Sequence, residues 1–150
     1  VGFNAGHSAV ALLEHAPPGS ALLSLDLGRH KYTQPLARVV SRIANDRHLS
    51  HILLFGDSAD MLPRFKHVNF DVVFIDGNHS FEAVAFDLFH CIEHADENTA
   101  ILLDHVFTEM QEGVGPTKAW LQALQQGRIE QWGWHSCCSR HGIAIASLKE

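Results

Sequence analysis

The sequence predicts an α/β fold: a doubly wound, mostly parallel sheet whose last strand runs antiparallel. Three observations predict it. Short, nearly continuous apolar runs recur at 21–27 (ALLSLDL), 51–56 (HILLFG), 70–76 (FDVVFID) and 100–104 (AILLD), the pattern of strands covered on both faces. Segments of helical periodicity alternate with them. Two further strand-like segments, 129–135 and 142–148, then follow one another without a helix between them, so the pair forms a hairpin that adds an antiparallel strand.

The elements follow in order. Val1-Gly2-Phe3-Asn4-Ala5-Gly6-His7-Ser8 is a glycine turn leading into a helix over Ser8–His15, with Ala9, Leu12 and Leu13 as its apolar residues. Pro17-Pro18-Gly19 stops it. After the strand at 21–27, Leu36, Val39, Val40 and Ile43 give one helical face. Phe81, Val84, Ala85, Leu88, Phe89 and Ile92 keep i, i+3, i+4 spacing throughout. Pro116 suits the first turn of a helix carrying Ala119, Trp120, Ala123 and Leu124, closed near Gly127. No repeat, linker or low-complexity tract interrupts the pattern.

Composition narrows the function classes. The 150 residues, 46% of them apolar and 19% charged, suit one globular domain over 1–150. A net charge of −6 argues against nucleic acid as the main partner. No apolar run approaches the roughly 18–20 residues of a membrane span. Three cysteines, two of them adjacent, make no disulfide framework, and a cytoplasmic location is expected. The chain starts at Val1 inside the glycine turn. N-terminal elements, including most of a first strand and any targeting signal, are therefore expected upstream.

In doubly wound sheets ligands bind outside the carboxyl ends of the strands. That places weight on Gly2 to Ser8, Asp26, Asp57-Ser58, Asp76 to His79 and Asp104-His105. Glycines let the backbone approach a ligand, and a helix N-terminus offers free N–H groups. Asp26 lies 20 residues after Gly6, the spacing of a ribose-binding acid. Asp57 and Ser58 suit either an adenine contact or a helix cap. Asp76, His79, Asp104 and His105 can hold a divalent cation: carboxylates suit Mg²⁺, Ca²⁺ or Mn²⁺, and imidazoles widen the choice to Zn²⁺, Fe²⁺ or Ni²⁺.

VGFNAGHSA, SLDLG, FGDSADMLP, FDVVFIDGNHSFEAVAFDL, ILLDH and HGIAIASL together resemble a class I S-adenosylmethionine-dependent methyltransferase. The branch it is most similar to carries an IDG-x-H-x-[FY] motif and includes small-molecule O-methyltransferases of the catechol and caffeoyl-CoA type. The resemblance implies a Rossmann-like sheet of seven strands, here with the first strand truncated. It implies S-adenosylmethionine as cofactor, held by Gly2, Phe3, Asn4, Gly6, Ser8, Asp26, Leu27, Asp57, Ser58 and Asp76. It implies a divalent metal, Mg²⁺ or another, at Asp76, Asp104 and His105. His105 stands where the family usually has asparagine, and His79 where a lysine base is common. His79 and Asp76 become the catalytic residues. The helix N-terminus beside His79 is expected to lower its pKa, leaving a neutral base at pH 7. The implied partner is a small hydroxylated acceptor, with no nucleic acid, no membrane, and a homodimer left open.

Two other readings compete. A nicotinamide-dependent oxidoreductase uses a similar sheet, but the turn reads G-F-N-A-G-H and lacks G-x-G-x-x-G. A truncated, non-catalytic domain kept for cofactor binding or assembly is the other. Elsewhere bland roles prevail. Trp120, Trp132 and Trp134 are expected to pack in the core or on the sheet. Lys31, Arg38 and Arg42 read as a solvated face, with Lys31-Tyr32 bordering the cofactor cleft. His135 to His141 lacks the paired spacing of a zinc site.

Overall fold

The computed structural model describes residues 1–65, 67–138 and 141–149. In chain order these form α1 (His7–His15), β1 (Ala21–Asp26), α2 (Thr33–Asp46), β2 (Ser50–Phe55), α3 (Ser58–Met61), a 3₁₀ turn (Leu62–Phe65), β3 (Val72–Ile75), α4 (Phe81–Glu93), β4 (Ala100–Leu103), α5 (Gln111–Gln125), β5 (Ile129–Cys138) and β6 (His141–Leu148). The chain packs as two compact units, Val1–Met61 and Leu62–Glu150.

In the first unit β1 and β2 pair in parallel, from Ala21 opposite Ser50 to Asp26 opposite Phe55. Phe3, Ala9, Leu13, Ala37, Val40, Ala44 and Leu49 form the core. The buried face of α2 is Thr33, Ala37, Val40 and Ala44, while Val39 is exposed. This corrects the expected face. Alanines at 37 and 44 let the helix sit close to its neighbours, and the larger Val39 is left outward.

In the second unit the strand order is β3-β4-β6-β5. β3 and β4 are parallel, with Val72 opposite Ala100 and Ile75 opposite Leu103. β6 runs antiparallel to both β4 and β5, as the hairpin predicts. Val73, Ile75, Val84, Leu88, Ile101, Leu103, Trp120, Ile129, Ala144 and Ala146 are buried. Trp120 Nε1 donates to Gln131 Oε1 at 2.7 Å, which satisfies the one polar atom of the buried ring.

The described residues thus hold six strands in two sheets, where seven in one were expected. The segment before α1 forms no strand. Gly2 donates one backbone bond to Leu25 at 2.9 Å. Positive φ at Gly2 (86°), Asn4 (48°) and Gly6 (85°) then turns the chain out of the extended conformation.

Two further expectations change. α5 begins at Gln111, so Pro116 lies inside the helix and not in its first turn. The early turns carry Gly113 and Gly115, which approach other backbone: a Cβ at 113 would strike the Phe107 carbonyl, and one at 115 the His79 carbonyl. Of the three tryptophans only Trp120 is core. Trp132 and Trp134 are exposed, because β5 is an edge strand with a register shift between Gln131 and Gly133.

Candidate functional site

In the first unit the glycine turn is built around Asp26, the last residue of β1. Its Oδ2 accepts the Asn4 N–H at 2.7 Å and its Oδ1 accepts the Gly28 N–H at 2.7 Å. One carboxylate therefore clamps the turn before α1 and the turn after β1. Tyr32 Oη donates to Asn4 Oδ1 at 2.7 Å, and its ring stacks on His30 with centroids 4.9 Å apart. Gly6 is required for two reasons: its φ is positive, and a Cβ would lie 2.7 Å from the Phe3 ring and 2.9 Å from Val40. No side chain caps the N-terminus of α1.

Not every expected cofactor residue offers a side chain. Phe3 is buried in the core and stacks on His51 at 5.4 Å, so only its backbone can meet a ligand. Leu27 is exposed. Asp57 Oδ1 accepts the Ala59 N–H at 3.0 Å, the capping role that competed with adenine contact. Ser58 and Ser8 lie in the first turns of α3 and α1.

In the second unit the β3–β4 register sets Asp76 beside Asp104, and Asp104 N–H donates to the Ile75 carbonyl at 3.0 Å. Asp76 Oδ1 lies 3.5 Å from His79 Nε2 and 3.5 Å from His105 Nδ1. The two imidazoles are tilted against each other with centroids 4.0 Å apart. One donor atom from each of Asp76, His79 and His105 falls within 4.8 Å of the others. His79 belongs to this trio; Asp104 does not. Asp104 Oδ1 accepts the His105 N–H at 2.7 Å, and its Oδ2 is 3.7 Å from His105 Nδ1. His105 has a φ of 60°, in the left-handed region that few residue types other than glycine enter, histidine among them.

Local sequence explains where His79 sits. Asn78 Oδ1 accepts the Ser80 N–H at 2.9 Å, and Ser80 Oγ accepts the Ala83 N–H at 3.3 Å. The Asn-His-Ser run is thus a side-chain-bonded turn and a helix cap, with His79 between them. Its pKa is raised, which overturns the expected lowering. The hydrogen bond to Asp76 is the largest cause; burial opposes it, and the charges of Asp76, Asp104 and Glu112 add to it.

The remaining expectations divide. For the His135–His141 segment, Ser139 and Arg140 and the side chains of Cys137, Cys138 and His141 lie outside the described residues. Cys91 is a free, buried thiol whose pKa burial pushes up to about 12. No helix among the described residues is long and apolar enough to cross a membrane.

Residues 1–106 match the family described as the methyltransferase domain. The chain belongs to that family. Solved structures agree on the fold. The cofactor-bound Rv0187 of MTB matches with a TM-score of 0.76 at 20% identity, over 99% of this chain and 71% of that one. An O-methyltransferase from Bacillus cereus in complex with SAH matches with 0.75 at 17% identity, over 99% and 71%. A ribosomal protein methylase from Lactobacillus delbrueckii subsp. bulgaricus matches with 0.66 at 15% identity, over 99% and 68%. These identities show the fold of this methyltransferase domain, and the range of acceptors shows that the fold alone does not name one. No protein of curated function matches its sequence.

Proposed function

We propose that this methyltransferase domain moves the methyl group of S-adenosylmethionine to a hydroxyl of a small molecule, assisted by a divalent cation at Asp76, His79 and His105. The observation that carries the cation is the convergence of two imidazole nitrogens on one oxygen of Asp76, each at 3.5 Å. A general base needs one imidazole and one orienting acid; a second imidazole on the same oxygen adds nothing to that role. Cation–donor bonds of about 2.0–2.2 Å, at angles of 90–110°, set donors roughly 3.0–3.5 Å apart. Both imidazole–Asp76 distances fit that spacing. Asp104 was the expected third ligand. With one oxygen on the His105 N–H, it fits better as the group that positions His105.

Methyl transfer is an in-line displacement. The acceptor oxygen attacks the methyl carbon, the carbon–sulfur bond breaks, S-adenosylhomocysteine leaves, and the hydroxyl proton passes to water. A divalent cation, when bound, lowers the pKa of a hydroxyl it contacts. The remaining work falls to the chain. The Gly2–Gly6 turn presents backbone to the methionine part of the cofactor, and Asp26 holds that turn while keeping lone pairs for the ribose hydroxyls. Asp57 and Ser58 serve the adenine side. In the second unit Asp76 and His79 hold the cation, and alignment of acceptor and methyl group lowers the barrier.

His79→Ala tests the reading through three quantities: turnover, metal affinity and melting temperature. Turnover and metal affinity should fall together, each by at least about 10²-fold. A loss of turnover with unchanged metal affinity would make His79 a base and not a ligand. Turnover within a few-fold of wild type would remove His79 from the chemistry altogether.

A further inference from the structure

We infer that the cation site of this chain selects a first-row transition ion, of the Zn²⁺, Fe²⁺, Co²⁺ or Ni²⁺ class, over Mg²⁺ and Ca²⁺, and that His79 replaces Asp104 in the ligand set. The inference rests on the proposed reading in using the same three side chains. Its test needs neither cofactor nor acceptor.

The donor chemistry carries it. Mg²⁺ and Ca²⁺ are hard ions that take oxygen ligands, while imidazole suits the transition ions. The trio offers two nitrogens and one carboxylate, the composition of sites that hold a transition ion on one side and leave positions open on the other. Two oxygens in the neighbouring turns already hold backbone N–H groups. Asn78 Oδ1 holds the Ser80 N–H at 2.9 Å, and Asp104 Oδ1 holds the His105 N–H at 2.7 Å. Releasing either would undo the turn that positions a histidine.

His105 supports the same conclusion. Its φ of 60° is a conformation that asparagine also adopts, with its short side chain bonding locally. Asparagine would also supply an oxygen. The chain instead carries a histidine there, whose Nδ1 faces Asp76 at 3.5 Å and whose ring lies against His79. The left-handed position and the nitrogen donor occur together.

The test titrates chelator-treated protein with Co²⁺ and reads its visible absorption, with Zn²⁺ and Mg²⁺ as competitors. One ion should bind with the bands of a nitrogen-ligated site. Zn²⁺ should displace it near stoichiometric amounts, and Mg²⁺ in 10³-fold excess should not. His79→Gln should weaken Co²⁺ at least about tenfold, and Asp104→Asn, which keeps an oxygen to accept the His105 N–H, should leave it within a few-fold. His105→Asn suits the left-handed backbone and so preserves folding. It should weaken Co²⁺ and let Mg²⁺ compete. Displacement of Co²⁺ by Mg²⁺ at comparable concentration would overturn the inference. So would wild-type Co²⁺ affinity in both histidine variants, or dependence on Asp104 and not on His79. Methyl transfer that fails while Co²⁺ binds as described would refute the proposed function and leave this inference standing.

Discussion

Removing the Asp26 carboxylate should weaken both the glycine turn and the cofactor site. Asp26 accepts two backbone N–H groups, from Asn4 and Gly28, at 2.7 Å each. A hydrogen bond to a charged group contributes about 1.5–3 kcal/mol net when it is dry. Asp26 is only half-buried, so water replaces part of each bond in Asp26→Ala. A loss of about 1–2 kcal/mol for the pair is expected. Cofactor binding should suffer further, because the ribose loses its acceptor and the turn is no longer held; affinity should drop roughly 10- to 100-fold, or about 1.4–2.8 kcal/mol. Asp26→Asn sharpens the test. Its side chain has one acceptor oxygen and one NH₂, so one of the two N–H groups must face a donor. Asparagine should therefore rescue little. Urea denaturation measures the first effect, and calorimetric titration with S-adenosylmethionine the second. Wild-type midpoint and wild-type affinity in Asp26→Asn would refute the reasoning. A lowered midpoint with unchanged affinity would keep the clamp and discard the ribose contact.

Acid should destabilise the fold through His51, whose pKa burial lowers. Its ring nitrogens lie 3.1 Å from Ser24 Oγ and 3.1 Å from Ser41 Oγ. Below about pH 6.5 the unfolded chain binds a proton that the folded one resists, so stability is full above that pH and declines as pH falls towards the folded pKa. His51→Gln should flatten this slope in denaturation curves taken across about pH 5–8; equal slopes in the two proteins would count against it. Gly115→Ala should lower stability by about 1–3 kcal/mol, since its Cβ would meet backbone of His79, Ser80 and Phe81, none of which yields easily. Because α5 would then press on the His79 turn, Co²⁺ affinity should fall as well. A variant as stable as wild type would mean that the helix shifts freely.

The local elements were legible in the sequence because their causes are local. Apolar runs at 21–27 and 100–104 became β1 (Ala21–Asp26) and β4 (Ala100–Leu103). The Asn78-His79-Ser80 run closed a turn and capped α4 with bonds spanning two and three residues. Asp26, Asp76, Asp104 and His105 could be placed at strand ends, since strand direction follows from alternation with helices. Which of these groups converge was decided by tertiary structure. The pairing of Ile75 with Leu103 brings Asp76 to the Asp104-His105 corner. There the His105 N–H occupies Asp104, and His79 takes the third place in the trio. Spacing along the chain does not encode that competition, because it depends on where side chains from separate strands point. The raised pKa of His79 is mixed: its largest cause, the hydrogen bond to Asp76, spans three residues, while the charges of Asp104 and Glu112 are brought by the fold. The exposure of Trp132 and Trp134 follows from β5 lying at the edge of its sheet. The outward turn of Val39 follows from the small alanines that bring α2 close to its neighbours. Short-range chemistry determines what each segment becomes, and long-range packing determines which groups meet and which face water.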